Sequence, residues 1–168
     1  MPYQYEKVID MEQEKKMKAI DGGVTAAKGF LAAGLRAGVK PGKTNKDMAM
    51  IVSECDAVCA GTFTRNKVKA APVKWDMQVV EEQETARVIV VNSGIANACT
   101  GSKGLENAKA TAQKAAAHFG LEAEDVLVAS TGVIGQPLNV ETIVNALPQL
   151  VSGLSTTGSH AASEAIMT

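Results

Sequence analysis

Val88-Ile89-Val90-Val91 and Val126-Leu127-Val128 are the two stretches that decide the fold. Each is a continuous apolar run, short enough for a strand buried on both faces, and both are expected near the centre of a sheet. Between them Leu105, Ala108, Ala112, Ala115, Ala116 and Phe119 recur at helical spacing, and Gly120 stands where a C-terminal cap ends such a helix. Beyond the second run, Asn139 can cap a further helix from about Val140. Ile143, Leu147, Leu150, Val151 and Leu154 form its apolar face, and Pro148 can bend or interrupt it.

Working outward, Met48 to Ser53 and Ala57 to Arg65 read as two strands of a hairpin that turns at Glu54-Cys55-Asp56. The glycine-rich stretches Gly22 to Phe30 and Leu31 to Val39 suit tight turns and close backbone approach rather than helix. Ser155 to Ser159 reads as a loop, and His160 to Met167 as a short helix. This order of elements favours a layered α/β (α+β) fold, a mixed sheet packed against helices, with residues 1–168 in one domain.

Composition narrows the partners. A net charge of −1 with acidic and basic residues evenly mixed gives no footprint for nucleic acid or an acidic membrane surface. Only 4% of residues are aromatic, so stacking platforms for bases are not expected and close packing of small residues is. Three cysteines, Cys55, Cys59 and Cys99, suggest reduced thiols rather than a disulfide framework. Cys55 and Cys59 lie four apart on an expected strand, but no second Cys/His pair completes a tetrahedral metal site. Met1 to Lys7 lacks a signal-peptide pattern and no apolar run is long enough to span a membrane, so a soluble cytoplasmic protein is expected.

Two polar turns follow the apolar runs. In Ala129-Ser130-Thr131-Gly132-Val133-Ile134-Gly135, the Thr131 hydroxyl and a glycine N–H can meet a substrate oxygen on which negative charge develops. The same residues also suit an ordinary strand-to-loop turn. In the other, Asn92-Ser93-Gly94 through Asn97, Cys99, Thr100 and Gly101, the polar side chains can either orient a substrate or hold the turn in shape. Neither turn supplies an activated nucleophile. His118 and His160 belong to no recognisable Ser-His-Asp arrangement, and no phosphate-binding glycine motif occurs. Arg65 and Lys67 serve equally as substrate readers or as solvated charges.

Taken together, Gly22-Gly23-Val24-Thr25, Lys28-Gly29-Phe30, Lys69-Ala70-Ala71-Pro72-Val73, Asn92-Ser93-Gly94, Ala96 to Gly101, Ser130 to Gly135 and Ala165-Ile166-Met167-Thr168 closely resemble the ornithine acetyltransferase (glutamate N-acetyltransferase) family of arginine biosynthesis. The ordered motifs run across nearly the whole chain. The resemblance implies a precursor that cleaves itself before a threonine, giving an α chain and a β chain assembled as α2β2. The new N-terminal threonine takes the acetyl group from N-acetylornithine and passes it to glutamate. The resemblance further implies that Thr131 and Gly132 form the oxyanion hole and that Thr168 contacts substrate. It also implies a layered fold shared with self-cleaving aminopeptidases of the DmpA type. No cofactor is implied; acetyl-CoA is a second acetyl donor in bifunctional members.

The family's Lys-Gly-Ser-Gly motif and its nucleophile lie farther along, so the chain is expected to be the N-terminal part of the α chain. Two positions depart from the pattern: Ile95, where asparagine is common, and Ala27, where proline is. A free α-amine with a pKa of about 8 can serve as base for its own threonine hydroxyl, which explains a site without histidine. Two other readings compete. One is a self-cleaving amidohydrolase or aminopeptidase of the same fold, in which water resolves the acyl-enzyme; the other is a non-catalytic binding or scaffold domain.

Overall fold

The computed structural model describes residues 19–168. The expectation placed on Met1 to Lys7 lies outside the described residues. After a 3-10 turn at Gly23–Thr25 come β1 (Phe30–Leu35), β2 (Met48–Val58), α1 (Ala71–Glu82), β3 (Thr85–Ile95) and α2 (Gly101–Ala117). A second 3-10 turn at Ala123–Asp125 leads into β4 (Val126–Val133), followed by α3 (Val140–Ser152) and α4 (Ser159–Ile166).

The four strands form one mixed sheet in the order β1-β2-β3-β4. β1 pairs with β2 and β2 with β3 antiparallel, and β4 runs parallel to β3. Parallel neighbours need a long crossover, and α2 supplies it. Met48, Met50, Val52, Val88, Val90, Val126 and Val128 point to one face. There they meet Trp75 and Val79 of α1, Ala108, Ala112 and Ala115 of α2, and Ile143, Leu147 and Leu150 of α3. Burying each large aliphatic side chain contributes about 1.5–3 kcal/mol, which makes this layer the stabilising core. On the opposite face α4 packs through Ala162 and Ala165 against Ala32 and Ala49. No helix among the described residues is long and apolar enough to cross a membrane.

α2 forms where the alanine spacing predicts. Gly120 adopts φ +66°, and the Leu121 N–H returns to the Ala116 carbonyl at 3.1 Å, closing the cap. The Asn139 side chain accepts the Glu141 N–H at 3.0 Å and starts α3 as expected. Pro148 does not interrupt α3: the helix continues to Ser152, because Ile143, Leu147 and Leu150 hold both sides of the proline in the core. Within the stretch expected as a loop, Ser155 exchanges two backbone hydrogen bonds of 3.0 Å with Ala32 of β1.

Three expectations are corrected. The hairpin at Glu54-Cys55-Asp56 is a bulge inside the single strand β2. Val52 pairs with Val88 and the next partners are Ala57 and Ala86, while residues after Val58 leave the sheet. The bulge is held by the Ser53 hydroxyl, which donates to the Cys55 carbonyl at 2.6 Å, and by the Arg87 guanidinium on the Ser53 carbonyl. β3 and β4 extend to Ile95 and Val133, so the first residues of both polar turns are strand. β4 is an edge strand of this sheet rather than a central one, and Ile89, Val91 and Leu127 are only half-buried. The helix α1 stands where the sequence reading places no element; Pro72 in its first turn and the buried pair Trp75 and Val79 are its marks.

Candidate active site

The edge of β4 is closed over its first half and open over its second. Trp75 Nε1 donates to the Val126 carbonyl at 2.8 Å, and Asp76 Oδ1 accepts the Val128 N–H at 2.9 Å. The even-numbered residues of β4 therefore turn their backbone groups toward α1. The Val133 carbonyl instead faces β3, where it accepts the Ala96 N–H at 2.9 Å. Because strand residues alternate, the N–H groups of Ser130 and Gly132 point to the same edge as Val128, beyond the reach of these two α1 side chains. Burial raises Asp76 to about 6, with the Val128 N–H opposing the shift.

Gly132 has φ +128° and lies in register with Gly94, which has φ +105°. A Cβ on Gly132 would stand 2.3 Å from the carbonyl carbon of Gly94. Both the backbone angle and the close approach therefore demand glycine here. Thr131, the preceding residue, is exposed and lines a groove of about 480 Å³ between the sheet and α4. Val24, Ala49, Ile51, Val91, Ala129 and Ile166 form its apolar wall, and no titratable side chain lines it. Thr131 thus meets a groove without a titratable side chain, and the next residue in the chain is the glycine whose N–H faces the strand edge.

The neighbouring polar residues hold this end of the sheet in shape. Asn92, 2% exposed, donates through Nδ2 to the Ile95 carbonyl at 2.9 Å and accepts the Ser130 hydroxyl at 2.6 Å, tying β3 to β4. At Ile95 the carbonyl accepts this bond while the half-buried side chain packs against the core. Asn97 is fully buried at φ +48°. It donates to the Gly104 carbonyl at 2.9 Å, accepts the Thr100 hydroxyl at 2.9 Å, and through its own carbonyl accepts the Ala71 N–H at 3.1 Å. For Asn92, Asn97 and Thr100 the structural reading is the one the hydrogen bonds support. The Cys99 side chain is exposed, and the three cysteines are free thiols.

Ser93, in register with Thr131, donates its hydroxyl to the Ala165 carbonyl at 2.5 Å. That bond holds the last turn of α4 against the end of β3, and Ile166 of that turn lines the groove with Thr131. Thr168 is exposed. His118 lies at the end of α2, and His160 on α4 is 3.7 Å from a Glu164 oxygen. Neither histidine lines the groove. Glu164 is held below its ordinary range by the hydrogen bond from Lys46. Among the described residues, no group of three potential ligands could hold a metal ion.

A model of the ArgJ family matches residues 31–168. The chain is 53% identical over 150 residues to an arginine biosynthesis bifunctional protein ArgJ of Gloeobacter violaceus, covering 89% of this chain and 36% of the relative. It therefore spans about a third of that relative's length. Among solved structures, the ornithine acetyltransferase of Mycobacterium tuberculosis, complexed with ornithine, superposes with a TM-score of 0.83 at 41% identity. The superposition covers 88% of this chain and 79% of that one. The arginine biosynthesis protein ArgJ of Bacillus halodurans superposes with a TM-score of 0.81 at 42% identity, over 88% of this chain and 76% of the other. With the layered fold, the paired glycines and a family match from β1 to Thr168, the chain belongs to the ArgJ family.

Proposed function

We propose that this chain is the N-terminal part of the α chain of a self-cleaving acetyltransferase that moves an acetyl group from N-acetylornithine to glutamate in arginine biosynthesis. One observation supports the reading: Thr131 lines a groove that no titratable side chain enters, and the N–H of the next residue, Gly132, lies at the open edge of β4. Such a site stabilises a tetrahedral oxyanion and needs its attacking group from elsewhere. The N-terminal threonine of a β chain meets that need, because its own α-amine takes the hydroxyl proton.

In the proposed reaction the threonine oxygen attacks the acetyl carbonyl of N-acetylornithine, and the carbonyl oxygen becomes an anion received by Thr131 and Gly132. Collapse breaks the C–N bond, and the amine that held the proton returns it to the departing ornithine nitrogen. The glutamate amine then attacks the acetyl-threonine, forming an oxyanion at the same donors; collapse breaks the acetyl C–Oγ bond, the threonine α-amine passes the proton lost by the glutamate nitrogen to that oxygen, and N-acetylglutamate leaves. Thr168 contacts the amino-acid portion of the substrate. Acetyl-CoA is a second donor of the same acetyl group, and the working assembly is α2β2. The free thiols fit a reducing compartment, the cytoplasm.

The test is acetyl transfer by the full-length precursor. Two chains are expected on a denaturing gel, with N-acetylglutamate and ornithine formed in equal amounts. Release of free acetate without transfer to glutamate rejects this reading in favour of an amidohydrolase. An unprocessed, inactive precursor favours a scaffold.

A further inference from the structure

Asp47 is a buried carboxylate, 1% exposed, that no cation neutralises among the described residues. Backbone N–H groups hold it instead: Ala37 at 2.6 Å on Oδ1, and Gly38 and Lys40 at 3.1 and 3.0 Å on Oδ2. Its own N–H donates to the Leu35 carbonyl at 2.9 Å, and its carbonyl accepts the Ser93 N–H at 2.9 Å. Charge-assisted bonds of this kind are stronger than neutral ones, so residues 37–40 are pinned to the end of β3.

Lys40 leaves that pinned loop in a fixed direction. Its stem crosses Gly94, where a Cβ would stand 2.6 Å from Lys40 Cγ, and its ammonium donates to the Met167 carbonyl. The Ala165 carbonyl is taken by Ser93, and Glu164 is paired with Lys46. Carbonyls at a helix C-terminus lack intrahelical partners, and a cation there is favourable. A cap could come from any side of α4. This one comes over the glycine that lies in register with Gly132, so it sets the residue after Met167 relative to the oxyanion donors.

We infer that Lys40 is a positioning residue, acting through the Met167 carbonyl to fix Thr168 against the Gly94–Gly132 pair. The inference rests on the reading of Thr168 as a substrate contact. Lys40→Met keeps the stem over Gly94 and removes the ammonium; Lys40→Arg keeps a donor. In the processed full-length enzyme, Lys40→Met should raise KM for N-acetylornithine roughly three- to tenfold, the worth of one hydrogen bond, with kcat changed less than about twofold. Lys40→Arg should recover most of the loss. Thr168→Val should raise KM similarly, and the double variant should be no worse than Thr168→Val alone.

Independent, multiplying effects overturn the inference, as does a wild-type KM in Lys40→Met. A lowered melting temperature with kcat and KM both impaired marks a folding role and also overturns it. Ornithine binding by calorimetry reads the same variants without turnover. If the wild type transfers no acetyl group the proposed function fails, whereas weakened ornithine binding in Lys40→Met still supports the positioning role.

Discussion

Replacing Gly132 by alanine tests the active-site geometry most directly, because one methyl group meets two obstacles. The first is conformational: φ +128° is closed to alanine, and holding a side chain in such backbone costs on the order of 1–3 kcal/mol. The second is steric. The new Cβ would stand 2.3 Å from the Gly94 carbonyl carbon and 2.7 Å from the Ile95 nitrogen, and these are backbone atoms of the neighbouring strand that cannot rotate away. The ends of β3 and β4 must therefore separate, which moves the Gly132 N–H off the place where a substrate oxygen would lie. Loss of a single oxyanion donor costs about 10²–10³ in rate, or roughly 2.7–4 kcal/mol of barrier. Acetyl transfer by the full-length Gly132→Ala precursor should fall by that factor, and self-cleavage should slow with it. Gly120→Ala is the control, since Gly120 also has positive φ, +66°, but nothing within 4 Å of a Cβ. It should lose stability and keep its rate constants. Wild-type transfer by Gly132→Ala, with melting lowered no more than in Gly120→Ala, refutes the geometric reasoning.

Thr131→Ala should slow acetyl transfer by about tenfold or more with ornithine binding retained, and Thr131→Ser should recover much of it, as read by steady-state kinetics. Asp76, raised from 3.8 to about 6, binds its proton more tightly folded than unfolded, so stability falls as pH rises between those values. Asp76→Asn, which still offers an oxygen to Val128, should therefore melt higher than wild type at pH 7, and the gap should shrink between pH 6 and 4; a pH-independent gap counts against the assignment. Trp75→Phe leaves the Val126 carbonyl without its 2.8 Å donor and should cost about 1–3 kcal/mol in denaturant unfolding.

β3, β4 and α2 are legible in the sequence because apolar runs and an alanine stripe mark them. The ends of those strands are not. Asn92, Ser93 and Gly94 have turn-forming character, yet tertiary partners override it: Ile95 and Ser130 satisfy Asn92, and Ala165 satisfies Ser93. α1 carries a weak period because its buried marks, Trp75 and Val79, stand among Lys74, Asp76 and Gln78. The site is legible in part. Thr131 and Gly132 lie in an ordered motif, but the role of Gly132 depends on Gly94, which a different strand supplies. Asp47 and Lys40 gave no signal at all. A carboxylate satisfied by main-chain N–H groups has no oppositely charged residue at a telling interval, and the Met167 carbonyl that receives Lys40 carries no side-chain identity.

The point on β4 where the Trp75 and Asp76 contacts stop has a consequence for molecular hygiene as well as for chemistry. A main-chain hydrogen left unclaimed along a sheet border welcomes any extended peptide, and these two side chains discourage such guests only as far as Val128. In the proposed reaction the next outward-facing amide of consequence, at Gly132, must stay vacant to receive a fleeting charge. An intruding strand zipped onto Ser130 and Gly132 would therefore block the proposed transfer and seed self-association through one and the same contact.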